Sequence, residues 1–170
     1  MTTSADLHRS QSPSQLACAV VTVSDTRTVE TDTSGKLIVD YLQSAGHSVI
    51  DRTIVRDEPA QIRPLLERLI HNSQVQAVLL TGGTGVSPRD QTYETVLSLL
   101  TKPLVGYGEL FRMLSYAEIG PACLLSRAVG GLVGRTVILT MPGSTAAVKL
   151  AMEKIILPEL PHIVREANKE

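Results

Sequence analysis

The chain predicts an α/β fold, a parallel or mostly parallel sheet with helices on both faces. Two observations predict it. From Leu16 onward, short Val-rich apolar runs alternate with amphipathic stretches of helical period. Four of those runs end in short polar or glycine motifs, and in such sheets ligands bind beyond the carboxyl ends of the strands. At 170 residues the chain has the length of one domain, enough to bury roughly 70% of its unfolded surface.

Met1 to Gln15 is polar without an apolar core, so it reads as a flexible tail rather than a signal peptide, with the domain spanning 16–170. Ala17 to Val23 is a strand suited to burial on both faces, and it ends in the polar loop Ser24-Asp25-Thr26-Arg27. Ser34 to Ala45 sets Leu37, Ile38, Tyr41 and Leu42 on one helical face, and Gly46 follows as a cap. Val49 to Val55 returns as a strand and runs into Arg56-Asp57-Glu58-Pro59. Ala60 to His71 carries a stripe of Ile62, Leu65, Leu66, Leu69 and Ile70 and is a helix; a strand from Val75 to Thr81 follows. Thr92 to Leu100 is a short helix stopped by Pro103, and Gly108 to Ala117 is another. Leu124 to Val133 and Thr136 to Met141 read as two strands divided by Gly134-Arg135. Pro142-Gly143-Ser144 opens a long helix reaching Ile155, and a closing helix runs from Glu159 to Ala167.

The segment Thr81-Gly82-Gly83-Thr84-Gly85-Val86-Ser87-Pro88-Arg89-Asp90 joins a buried strand to a helix. Its glycines let the backbone turn sharply and leave N–H groups uncovered, which suits an anion such as phosphate. Asp90 then sets a carboxylate beside that cradle. An acid there repels phosphate unless a cation lies between them, which points to Mg²⁺ and a nucleotide-like ligand. The loop is not a P-loop, since no Gly-Lys-Ser/Thr ends it, and it lacks dinucleotide glycine spacing.

Composition excludes several classes. Sixteen basic against seventeen acidic residues give a net charge of -1, without the basic excess of a nucleic-acid binder. Trp is absent and Phe occurs once, which argues against base stacking. Cys18 and Cys123 sit in apolar surroundings with no Cys-x-x-Cys, as expected of buried thiols in a reducing cytoplasm. His8, His47, His71 and His162 lack ligand spacing, so zinc is not expected, and no apolar run reaches membrane-span length.

Strand-end motifs from separate parts of the chain should converge on one crevice. Asp57 and Asp90 lie at two such ends. Each also reads locally as a helix cap. As a pair about 4 Å apart they would repel by roughly 4 kcal/mol at an effective dielectric near 20, which a divalent cation relieves. Ser144 reads as the N-cap of the last long helix or as a hydroxyl beside a second anionic group, and the two roles are compatible. Ser24, Asp25, Arg27 and Arg89 belong to solvated loops or contact phosphate. Glu109 complements a helix dipole in its first turn or binds a heterocycle. Leu110, Met113 and Leu114 read as core or as a subunit interface.

The ordered set Val23-Ser24-Asp25-Thr26-Arg27, Asp32-Thr33-Ser34-Gly35, Thr81-Gly82-Gly83-Thr84-Gly85 with Arg89-Asp90, Gly106-Tyr107-Gly108-Glu109-Leu110-Phe111-Arg112, Leu125-Ser126-Arg127 and Met141-Pro142-Gly143-Ser144 resembles the MoaB/Mog family of molybdenum cofactor biosynthesis proteins. The resemblance runs from about Leu16 to Ile163, and Phe111 to Tyr116 with the short C-terminus is similar to the MoaB branch. It implies a three-layer α/β/α sandwich and Mg²⁺-dependent adenylylation of molybdopterin by ATP. On these positions it implies metal and catalytic roles for Asp57 and Asp90. It implies substrate binding by Ser24, Asp25, Thr81, Gly82, Gly83, Thr84, Gly85, Glu109, Pro142, Gly143 and Ser144. A cytoplasmic homotrimer or homohexamer is the assembly it implies. Some MoaB-branch members look to have lost one or both acids, and this chain keeps both. The competing class is a non-catalytic pterin-binding oligomer, and nucleotide pyrophosphate hydrolysis is a third reading.

Overall fold

The computed structural model describes residues 12–169. Eleven residues of the expected tail (1–11) lie outside that span; Ser12 to Gln15, its last four, precede the first strand without regular structure. Along the chain come β1 (Ala17–Val23), α1 (Thr33–Ser44), β2 (Ser48–Val55), α2 (Pro59–His71), β3 (Ala77–Thr81), α3 (Thr92–Leu99), β4 (Lys102–Pro103), α4 (Val105–Ile119), β5 (Gly130–Val133) and β6 (Thr136–Met141). A final rod is built from α5 (Thr145–Ala151), a wider π turn (Met152–Ile156) and α6 (Leu157–Ala167). The widening precedes Pro158, whose nitrogen cannot donate to the turn before it.

One six-stranded sheet has the order β2-β1-β3-β6-β5-β4. β2, β1, β3 and β6 are mutually parallel, and β5 and β4 add antiparallel pairs at one edge. Alternation along the parallel strands divides the core in two. Cys18, Val20, Ala77, Leu79, Val137, Leu139 and Met141 face a layer of α1, α4 and the α5–α6 rod. Ala19, Val21, Val23, Val78, Leu80 and Ile138 face α2 and α3 through Ile62, Leu66, Leu69 and Val96. The central strands are therefore apolar at nearly every position, the pattern that predicted them. The expected three-layer arrangement is the one observed.

Two element assignments need correction. The run Leu124 to Val133 is a strand only from Gly130. Gly120–Leu125 is a 3₁₀ helix with Pro121 in its first turn, and it leaves Leu124 and Leu125 exposed, so this apolar stretch covers no sheet. The helix expected from Gly108 begins at Val105. A Cβ on Gly108 would lie 2.5 Å from the Ala128 carbonyl. This glycine serves close packing inside α4 rather than marking its start. Among the described residues no helix is long and apolar enough to cross a membrane. Both cysteines are free and buried, as expected.

Candidate functional site

Because β1, β2, β3 and β6 run parallel, their carboxyl ends open on the same edge of the sheet, and hydrogen bonds tie the loops beyond them together. Ser24 N–H donates to the Val55 carbonyl at 2.8 Å, joining the ends of β1 and β2. Thr81 Oγ1 donates to the Pro142 carbonyl at 3.0 Å, and Ser34 Oγ to the Gly143 carbonyl at 2.7 Å. A hollow of 200 Å³ lies among Thr22, Ser24, Arg27, Asp32, Gly82 and Gly143. A shallower groove of 490 Å³ continues past Asp25 and Arg56. A hollow of 510 Å³ at the opposite end of the sheet, around His71, Gln76 and Arg135, touches none of the strand-end motifs.

Asp57, the floor of the strand-end edge, packs against Gly83 and lines neither of the two hollows there. It is 7% exposed, and its Oδ1 accepts the Gln91 N–H at 3.1 Å. The two cap readings are thus redistributed. Asp57 does not cap the helix that follows it, whose N-cap is Glu58; it caps α3 from across the crevice. Asp90 turns back on its own loop, its Oδ2 accepting the Ser87 N–H at 2.9 Å, and the N-cap of α3 is Gln91. Burial pushes the Asp57 carboxyl above the usual aspartate range; the Gln91 N–H opposes this, and the charges of Asp90 and Asp25 add to it. The acids expected to pair are therefore electrostatic neighbours.

Gly83 makes that geometry possible. Its φ is +65°, and a Cβ there would stand 2.2 Å from Thr92 Oγ1 and 2.4 Å from Asp57 Oδ2. Asp57 Oδ2 has no donor among the described residues. Thr92 Oγ1 is buried without a hydrogen-bond partner, as is Thr95 Oγ1 one turn later. Each such hydroxyl costs on the order of 1–3 kcal/mol.

The rim is held differently. Arg89 donates from Nε and Nη2 to the two carboxylate oxygens of Asp25, both at 2.8 Å, and reaches Glu58 at 3.3 Å. Arg89's hydrogen bond is the first cause holding Asp25 below the usual carboxylate range. Asp25, implied at substrate, and Arg89, read as solvated or in contact with phosphate, meet each other in this structure. Arg127, a motif residue given no role in the sequence analysis, braces the glycine loop by donating to the Gly85 carbonyl at 2.7 Å and pairing with Glu94, and stacks its guanidinium on Tyr93.

Several expected ligand contacts are spent within the protein. The Gly82 N–H donates to Met141 at 3.1 Å, which leaves the anion cradle to Gly83, Thr84 and Gly85. Thr81 is fully buried, with its hydroxyl on Pro142. Ser144 is the N-cap of α5, accepting the Ala147 N–H at 3.2 Å, and stays exposed. Glu109 is exposed past the first turn of α4, which contains no acid, and lines none of these hollows. Glu118, two turns later, shares a small hollow with Ser126 and Ser144 instead. Asp32 was quoted only as a motif residue; it is 3% exposed, caps α1 through Gly35 N–H, accepts from Thr22 and pairs with Arg52 at 3.0 Å. Ser or Asp ahead of a helical pattern was the signal that could have found it.

The donor set suits a hard divalent cation. Mg²⁺ is held by one or two carboxylates together with substrate phosphates and waters. Asp57 Oδ2 without a donor, a neighbouring Asp90 and an anion cradle at Gly83 to Gly85 supply those parts. Among the described residues no group of three His, Cys, Asp or Glu is placed to form a cage of protein ligands alone.

The fold is an open α/β domain whose loops gather beyond the carboxyl ends of its parallel strands. Residues 19–162 match the family described as "Probable molybdopterin binding domain". The chain is 50% identical over 164 residues to the molybdenum cofactor biosynthesis protein B of Bacillus cereus, covering 96% of this chain and 97% of the relative. It superposes on a crystal structure of a molybdenum cofactor biosynthesis protein B with TM-score 0.91 at 50% identity, covering 94% of this chain and all of that one. The tungsten cofactor synthesizing protein MoaB from Pyrococcus furiosus follows with TM-score 0.81 at 35% identity, covering 92% and 99%. The chain belongs to this molybdopterin-binding family, in the MoaB branch of molybdenum cofactor biosynthesis proteins.

Proposed function

We propose that the protein is a Mg²⁺-dependent molybdopterin adenylyltransferase. In this reading a terminal phosphate oxygen of molybdopterin attacks the α-phosphorus of ATP. The bond from that phosphorus to the oxygen bridging to the β-phosphate breaks, and pyrophosphate leaves with the electron pair. The attacking phosphate is already anionic, so no strong general base is required and positioning supplies much of the rate. Asp57 and Asp90 would hold the cation, which when bound neutralises charge on the transferring phosphoryl group. The free N–H groups of Gly83 to Gly85 would hold phosphate oxygens, with Ser24 and Gly143 lining the adjoining hollow and Ser144 following at the start of α5.

The observation that carries this reading is the Asp57 carboxylate, buried, raised in pKa and facing the charge of Asp90 with one oxygen lacking a donor. A protein that only bound the pterin would gain nothing from such an arrangement. The test incubates the protein with molybdopterin, ATP and Mg²⁺ and seeks adenylyl-molybdopterin by mass spectrometry. Asp57→Ala and Asp90→Ala should each abolish product while pterin binding persists. Normal turnover by both variants would overturn the metal assignment, and absence of product from the wild type would favour the non-catalytic binder.

We also propose a homotrimer or homohexamer in a reducing compartment. Val105, Met113, Tyr116 and Leu124 are at least 60% exposed along α4 and the 3₁₀ helix, an apolar face that supports self-association. Light scattering tests it: Met113→Lys should shift the protein toward monomer.

A further inference from the structure

We propose that Thr92 is a positioning residue for Asp57: its hydroxyl, unpaired in the metal-free protein, donates to Oδ2 when a divalent cation is bound and fixes the direction in which that carboxylate faces the ion. The inference rests on the metal reading above and assigns it a residue that neither the loop motif nor the pair of acids contains. Three observations carry it. Thr92 is fully buried, yet Oγ1 has no hydrogen-bond partner among the described residues, an uncommon state for a buried hydroxyl. Thr92 Oγ1 and Asp57 Oδ2 both crowd the point where a Gly83 Cβ would stand, at 2.2 and 2.4 Å, so the two oxygens face the same small region. The backbone holds them there: Gln91 N–H fixes Asp57 Oδ1 at 3.1 Å, and Thr92 N–H donates to the Gly83 carbonyl at 3.1 Å.

Adjacent residues at the start of α3 would thereby address the two carboxylate oxygens separately, Gln91 through its backbone, as observed, and Thr92 through its side chain once a cation is bound. Partners of this kind orient a ligating carboxylate, and their loss typically weakens metal binding by about 10- to 100-fold. A hydroxyl left unpaired in the metal-free protein gives up nothing there when removed. It matters once Oδ2 is drawn to a cation and must be held at one angle.

The experiment titrates the purified protein with Mn²⁺, a hard-cation stand-in for Mg²⁺, and follows free Mn²⁺ by electron paramagnetic resonance. Thermal unfolding of each metal-free protein is recorded in parallel. Thr92→Val should weaken Mn²⁺ binding about tenfold or more, with a metal-free Tm equal to or above that of the wild type. Thr92→Ser should restore binding. Thr95→Val removes the other unpaired hydroxyl of α3, which is not among the atoms that crowd Gly83 with Asp57, and should leave Mn²⁺ affinity unchanged. Wild-type affinity in Thr92→Val would overturn the inference. So would a lower metal-free Tm as its only effect, which marks a structural hydroxyl. If the wild type takes up no Mn²⁺, the metal reading itself fails and this inference falls with it.

Discussion

Asp57 on the floor of the crevice and Asp25 on its rim both follow parallel strands, yet their surroundings move their acidity in opposite directions. Asp25 is solvent-exposed and gripped by both nitrogens of one arginine, which favours its charged form. Asp57 is buried and faces the charge of Asp90, and together these disfavour its charged form by more than the single Gln91 N–H favours it. The contrast separates two uses of one residue type. The rim acid is satisfied by the fold and belongs to its electrostatic scaffolding. The floor acid is held in a state the isolated protein does not favour, a condition expected where a group is reserved for chemistry.

Replacing the floor acid should give the largest effect. Asp57→Asn keeps an oxygen for the Gln91 N–H and removes the charge, so product formation should fall by about 10³-fold or more if a cation depends on it. Metal-free Tm should rise, because a disfavoured buried charge is gone. Calorimetry and the adenylylation assay read the two effects separately, and a drop in both would erase the distinction between floor and rim. Gly83→Ala comes next. Its φ of +65° and the two oxygens within 2.4 Å of the added carbon should cost roughly 2–4 kcal/mol in urea unfolding.

Acidity offers a finer test of the floor. The folded-state pKa of Asp57 is raised, so the folded protein binds its proton more readily than the unfolded chain does. Its contribution to stability is fully present below the unfolded aspartate pKa and is lost as pH rises through the folded value. The stability deficit of the metal-free wild type relative to Asp57→Asn should therefore grow as pH rises through that range. Mn²⁺ binding should weaken on acidification at a pH above the ordinary aspartate value. A deficit that is flat with pH would show that Asp57 carries no unusual burden.

The sheet was legible because its central strands are covered on both faces, so Ala17 to Val23 and Thr136 to Met141 are apolar almost throughout. The helices α1 and α2 were legible because each buries a single stripe, such as Ile62, Leu66 and Leu69. Convergence of Ser24, Asp57, Gly83 and Gly143 followed from parallel strands sharing one edge. What escaped depended on tertiary contact. The helix expected from Gly108 starts three residues earlier, at Val105, because α4 carries Gly108 inside it to approach Ala128. Leu124 and Leu125 looked like a strand, but nothing in the described chain covers them. Thr92 carries no local signal, since its position beside Asp57 exists only once Gly83 brings β3 and α3 together. Asp32 warns against equating burial with catalysis: it is as buried as Asp57 but has Thr22, Gly35 and Arg52 as donors.

The smallest expected effect is on the rim, and it sharpens the contrast most. Arg89 is more than half exposed, and ion pairs in water stabilise little because solvent screens them and two side chains must be ordered. Arg89→Ala should leave the urea midpoint close to that of the wild type even though it breaks contacts to both Asp25 and Glu58. Its influence should appear on the floor instead. Arg89 is among the charges that draw the Asp57 pKa downward, so its removal should move that pKa further up and shift the acid limb of Mn²⁺ binding to higher pH. A large loss of stability with no change in that limb would reverse the assignment, making the rim the structural keystone and leaving the floor electrostatically independent of it.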